Sequence, residues 1–120
     1  MSIWEVHMSK DDYHVIVYKI LAYLYVQLKR GEKVEEKYIT HDSVLLNINY
    51  RYWEYIIENM LMQGYIRNVI ITRPWGGEII FEQLDQCEIT PAGIEYLCDN
   101  SLMKKVKQFM KDVKEITPFI

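Results

Sequence analysis

An α+β fold, with helices leading, one β-hairpin in the middle and helices closing the chain, is what this sequence predicts, and three observations carry it. Apolar residues recur at helical spacing up to Arg30 and again between Tyr50 and Gln63. The period then changes from helical to extended directly after Gly64, with β-branched runs on both sides of Pro74-Trp75-Gly76-Gly77. Helical spacing returns behind Thr90-Pro91.

Ser9 and Asp12, three residues apart, form the expected N-cap pair of the first helix, which runs to Arg30 with Gly31 as a left-handed stop. Tyr13, Ile16, Val17, Ile20, Leu21, Leu24 and Leu28 share one face of it. Val15, Tyr18, Ala22, Tyr25 and Val26 occupy the other, relieved mainly by Lys19 and Lys29. A helix apolar nearly all round has to be covered on both sides. Residues 32–39 read as a charged connector with a short strand near Tyr38-Ile39. Thr40 then caps a short helix over His41–Leu46, and Asn49 caps a longer one over Tyr50–Gln63. Trp53, Ile56, Ile57, Met60 and Leu61 form the apolar stripe of the longer one, and Gly64 ends it.

The extended runs Tyr65–Arg73 and Glu78–Leu84, joined by the Pro-Trp-Gly-Gly turn, predict a β-hairpin. Thr90 as cap and Pro91 as first residue open a helix to about Asp99, with Ile94, Leu97 and Cys98 facing inward. Asn100-Ser101 restart a last helix over residues 101–116. Its apolar face is Leu102, Val106, Phe109, Met110, Val113 and Ile116, with Lys104, Lys107, Lys111 and Lys114 opposite as a solvated face. That apolar face is the expected cover for the back of the first helix, from the same chain or from a second copy in a homodimer. The element order is that of a winged helix-turn-helix with an additional C-terminal helix. One domain over residues 9–116 follows, with an N-terminal extension, 1–8, and a tail, 117–120.

Composition narrows the function classes. Half of the 120 residues are hydrophobic, ten are tyrosines and three are tryptophans, a composition that suits a tight core and an interface equally well. The net charge of −3 excludes a protein held to DNA by its whole surface, so a nucleic-acid contact needs a local basic patch. Two cysteines, Cys87 and Cys98, are too few for a disulfide framework and lack the CxxC spacing of a zinc site, so both are expected as buried thiols in a reducing cytoplasm. The N-terminus lacks a secretory pattern, and the apolar stretch Tyr13–Leu28 is too short to span a bilayer. His7, His14 and His41 fall in no catalytic or metal motif, no GxSxG serine is present, and Gly76-Gly77 precedes a strand rather than a helix. No enzyme activity, metal or cofactor is expected.

The run MLMQGYIRNV, followed by a hairpin and then EITPAGIEYL, resembles the signature of winged-helix regulators of the MarR and PadR type. Gly64-Tyr65-Ile66 marks the step into the wing, and Ile89-Thr90, Gly93 and Tyr96-Leu97 the step into the following helix. The whole layout, with its lysine-rich last helix, most resembles the YjcQ family, small winged-helix proteins of phages and prophages, over Lys10–Val113. The resemblance implies a DNA-binding or regulatory role and carries over no DNA-contacting residue.

On the residues themselves, a winged helix would read DNA with the exposed face of the helix before the hairpin. Arg51 suits guanine and Asn59 adenine, Tyr52 or Tyr55 suits a phosphate, and Arg67, Arg73 and Trp75 suit the backbone beside the wing. Glu54 and Glu58 oppose Arg51, and Glu78 and Glu82 oppose the wing arginines. The same Tyr55 and Trp75, with Met62, are interface-type side chains, so the second expectation is a protein-interaction adaptor that uses this surface without touching DNA.

Overall fold

The computed structural model describes residues 8–113. Four α-helices, α1 (Tyr13–Arg30), α2 (Tyr50–Met62), α3 (Pro91–Asp99) and α4 (Ser101–Asp112), enclose two short antiparallel strand pairs. The predicted N-terminal extension, the Lys114 and Ile116 positions of the last helix and the tail lie outside the described residues, save Met8.

α1 is the spine. Every residue from Val15 to Leu24 is buried, because the helix has two apolar faces and each meets a different core. Ile16, Ile20 and Leu24 pack with Trp53, Ile56, Ile57 and Met60 of α2 and with Ile66 and Ile89 of the strands. Val15, Tyr18 and Ala22 pack with Met103, Val106 and Met110 of α4. The cover for the back of α1 is therefore intramolecular. Its helical phase differs from the expected one: Met103 is central, Leu102 and Phe109 flank the contact half-buried, and Val113 is exposed.

The ends of α1 show what decides a helix boundary. Gly31 adopts a left-handed conformation (φ 67°), and the Gly31 and Glu32 amides return to the carbonyls of Leu28 and Gln27. At the other end, Ser9 is not the cap. The Asp12 carboxylate turns back onto Ser9, accepting from its amide (2.9 Å) and hydroxyl (2.7 Å), so residues 9–12 make a separate turn and the helix starts at Tyr13. Leu28, expected on the buried face, is exposed near the C-terminus. Lys19, expected to relieve the back face, is buried instead, and its ammonium donates to the Leu45 carbonyl at 3.2 Å. A long aliphatic stem lets lysine cross an apolar surface to reach such an acceptor.

Two predicted elements are absent between α1 and α2. The Tyr38-Ile39 strand is replaced by a 3₁₀ turn, Glu36–Tyr38, which drops Ile39 into the core. The His41–Leu46 helix is a series of turns. The Ser43 hydroxyl accepts from the Leu46 amide, the Ile48 amide reaches the His41 carbonyl, and Asn47 is left-handed at φ 45°. Six residues cannot repay helix nucleation when serine and asparagine offer the backbone other partners. α2 follows as predicted: the Asn49 carboxamide accepts from the Tyr52 amide, Trp53 is 3 % exposed, and Gly64 at φ 76° closes the end.

The hairpin is real but broken in two. At its base β1 (Ile66–Arg67) pairs with β4 (Glu88–Ile89). Nearer the tip, β2 (Ile70–Thr72) pairs with β3 (Ile80–Glu82), with Ile71 opposite Phe81. The break has a cause on each arm: Asn68 (φ 76°) and Gln83 (φ 63°) are left-handed, and a 3₁₀ turn over Leu84–Gln86 buries Leu84. The expected second strand to Leu84 thus stops at Glu82, and Glu88–Ile89 is a strand that periodicity does not reveal. The tip over Pro74–Gly76 turns as expected. Thr90 caps α3 by accepting from the Gly93 amide, and Asn100 caps α4 through the Leu102 and Met103 amides. In α3, Ile94 and Leu97 are half-buried, while Cys98 is exposed, contrary to expectation.

Candidate functional site

α2 and the β2–β3 hairpin stand side by side and bound a cleft of about 790 Å³. Tyr50 and Ile79 bridge its base, the Tyr50 hydroxyl lying 3.4 Å from the Ile79 carbonyl. The amphipathic phase of α2 determines what faces the cleft: with Trp53, Ile56, Ile57 and Met60 turned inward, Arg51, Glu54 and Glu58 are left on the outer side. The hairpin contributes Arg73 and Glu78. Two guanidinium groups thus share the cleft with three carboxylates.

Of the residues predicted to form a contact surface, Arg51 and Arg73 are brought together here. Arg51 is exposed and makes no ion pair among the described residues. Arg73 is committed: its Nη2 donates to Glu58 Oε1 at 2.5 Å, tying the hairpin to α2. Arg67 lies on the base pair of strands, outside the cleft, and donates through Nε (3.0 Å) and Nη2 (2.7 Å) to Glu88, its partner in the strand register. Trp75 is fully exposed at the tip, with left-handed backbone at φ 58°.

The other three residues do not line the cleft. Tyr52 is half-buried against the chain before α1, its hydroxyl donating to the Asp11 carbonyl at 2.7 Å. Burial, followed by the charges of Asp11 and Asp12, pushes its phenol up to about 12. Asn59 spends its amide on its own helix, donating to the Tyr55 carbonyl at 2.8 Å. Tyr55 is 59 % exposed and meets the edge of Tyr13, the ring centroids 6.0 Å apart.

Tyr13 opens a patch that sequence reasoning missed. It packs edge-on against His14 at 5.1 Å, the His14 ring lies 3.5 Å from the Tyr96 hydroxyl, and Tyr96 stacks on Tyr65 at 4.5 Å. Partial burial, opposed by Asp12, lowers the His14 pKa below its ordinary value. Glu95 and Asp99 stand beside the stacked pair. The signal available in the sequence was the abundance of tyrosine. The periodicity that put Tyr13 on the core face of α1 concealed it.

Among the described residues, no group of three His, Cys, Asp or Glu side chains stands close enough to hold a metal ion, and no helix is long and apolar enough to cross a membrane. The arrangement defines a small α+β protein with an outward helix, a projecting hairpin and an acidic, aromatic surface between and beside them. The chain belongs to the YjcQ protein family, whose model matches residues 18–116. No curated protein and no solved structure matches it.

Proposed function

We propose that this YjcQ-family chain is a non-enzymatic, cytoplasmic protein-interaction module of the winged-helix type. In this reading α2 stands in the position of a recognition helix, the β2–β3 hairpin is the wing, and the surface they form receives a basic segment of a protein partner. The observation that carries it is the neutralisation of the wing. Arg67 and Arg73 are both held by carboxylates, and the cleft between helix and wing holds three glutamates against two arginines. Phosphate binding rests on uncompensated positive charge, and here a phosphate would first have to displace Glu58 or Glu88. A lysine- or arginine-bearing peptide meets Glu54 and Glu78 directly, with exposed Tyr55, Met62 and Trp75 as aromatic and sulfur-bearing anchors of the kind that dominate interface energies. Exposed Arg51 is the one observation that favours the alternative, a DNA reader, and in that case it is the side chain that would contact base edges.

Amide and tryptophan-indole NMR spectra titrated with two probes separate these readings. An arginine- and lysine-rich peptide is expected to shift the signals of Glu54, Glu58, Glu78 and Trp75, and a mixed-sequence DNA duplex to leave them in place. Shifts at Arg51, Arg73 and Trp75 with the duplex, and none with the peptide, would replace the adaptor by a DNA-binding protein.

A further inference from the structure

The back of α1 carries a second surface of opposite character. α4 has 12 residues and α1 has 18, so at 1.5 Å per residue they are about 18 Å and about 27 Å long. The shorter helix leaves an open groove of about 530 Å³ beside its first turns. Tyr18, Ala22 and Val26 of α1, Leu97 of α3 and Met103 of α4 form its apolar floor. Lys29, Lys104 and Lys107 stand on its margins, and among the described residues no carboxylate lines it. Among the described residues none of the three lysines makes an ion pair; Lys29 lies over the Tyr25 ring, 4.5 Å from its centroid. In a chain of 17 acids and 14 lysines and arginines, three uncompensated ammonium groups around one apolar floor are a local reversal of charge.

We propose that this groove docks an acidic amphipathic helix of a partner protein. Tyr18 and Ala22 are already covered by α4, and the row they begin at i and i+4 runs on to the half-buried Val26 at i+8, which with the half-buried Tyr25 and Leu97 is the apolar part of the groove left for an incoming helix. A groove so open leaves a small ligand largely in water, whereas sites for such ligands enclose most of the ligand surface. Aspartate or glutamate on the flanks of the incoming helix meets the three ammonium groups, without the described carboxylates that oppose such a helix at the α2 cleft. The site lies on another face from that cleft and stands whether or not the cleft receives a basic partner.

Three fluorescent helical peptides of about 18 residues, long enough to be helical in water, test it. They share one leucine face and carry glutamate, glutamine or lysine on the flanks. The glutamate peptide is expected to bind, the glutamine peptide more weakly and the lysine peptide not at all. K104E/K107E, at two exposed positions, should weaken the glutamate peptide about tenfold, a sum of two surface charge pairs. V26D should abolish binding with its thermal melt unchanged, and bound peptide should slow maleimide alkylation of Cys98 on the groove wall. Equal binding of all three peptides, or none of the glutamate peptide, overturns the proposal. So does co-sedimentation with anionic vesicles that K104E/K107E abolishes, or concentration-dependent self-association that V26D abolishes, since either gives the groove another occupant.

Discussion

The Arg73 guanidinium reaches back from the hairpin to the Glu58 carboxylate on α2, a residue 15 positions earlier in the sequence. The pair ties the hairpin to the helix and neutralises one of the two guanidinium groups in the cleft. Both partners are partly solvated, so the pair contributes little stability, on the order of 0–1 kcal/mol. Its consequence is electrostatic: the face expected to meet phosphate is neutral to acidic.

Trp53 is the most sensitive position of the main core. It is 3 % exposed, its ring meets Phe81 edge-on at 5.2 Å, and its indole N–H donates to the Ile39 carbonyl at 2.8 Å. Trp53→Ala is expected to cost about 3–5 kcal/mol, enough to unfold much of a small domain. Trp53→Phe keeps part of the packing and leaves the buried carbonyl without its donor, at about 1–3 kcal/mol. Urea denaturation of the two variants should order them so.

Gly93 is required by a close approach and not by an unusual dihedral. A Cβ there would overlap the Tyr65 carbonyl oxygen and Ile89 Cγ1, because the start of α3 is pressed onto the segment leading into β1. Gly93→Ala therefore forces that segment apart, at about 1–3 kcal/mol, the usual cost of overpacking. Ala is otherwise a better helix former than Gly, so a rise in melting temperature would contradict the packing described.

The two thiols should behave as a buried and a free one. Cys98 is exposed and is expected to react with a thiol reagent in the folded protein at neutral pH, and Cys87 only on unfolding. Burial raises the Cys87 thiol from its ordinary 9.0 to about 12. The unfolded chain then loses this proton first as pH rises, so the contribution is full below about pH 9 and is lost on the way to pH 12. Cys87→Ala should flatten the alkaline fall in stability; an identical fall would assign it to the tyrosines alone.

Local chemistry was legible in the sequence and tertiary pairing was not. The caps at Asn49, Thr90-Pro91 and Asn100, and the stops at Gly31 and Gly64, each act within a few residues and appear where expected. The hairpin was legible as a change of period, but its division was hidden because Asn68 and Gln83 are left-handed without being glycine. Lys19 was misplaced because its acceptor, the Leu45 carbonyl, belongs to a loop 26 residues away. The pairing of the arginines was hidden for the same reason: Arg67 and Arg73 are visible as cations in the sequence, whereas Glu88 and Glu58 become their partners only when the hairpin, β4 and α2 come together.

The α4 cover on α1 gives a further expectation. Val106 is fully buried between Val15, Tyr18 and Met103 in the second core. Val106→Asp buries a carboxylate without a partner there, which costs several kcal/mol. α4 should detach and expose the back of α1, giving dye-binding apolar surface and aggregation. A soluble variant that melts with the parent would show that α4 is dispensable to the fold.

Fluorescence anisotropy with a labelled mixed-sequence duplex, at ~50 mM salt and ~10 µM protein, within the range where non-specific DNA binding is normally seen, tests the central claim most directly. The account predicts no binding by the wild-type chain, and salt-sensitive binding by E54Q/E58Q/E78Q, which frees Arg73 and removes the acids facing Arg51. Wild-type binding that falls steeply with salt, lost on charge reversal of Arg67 and Arg73, would contradict it.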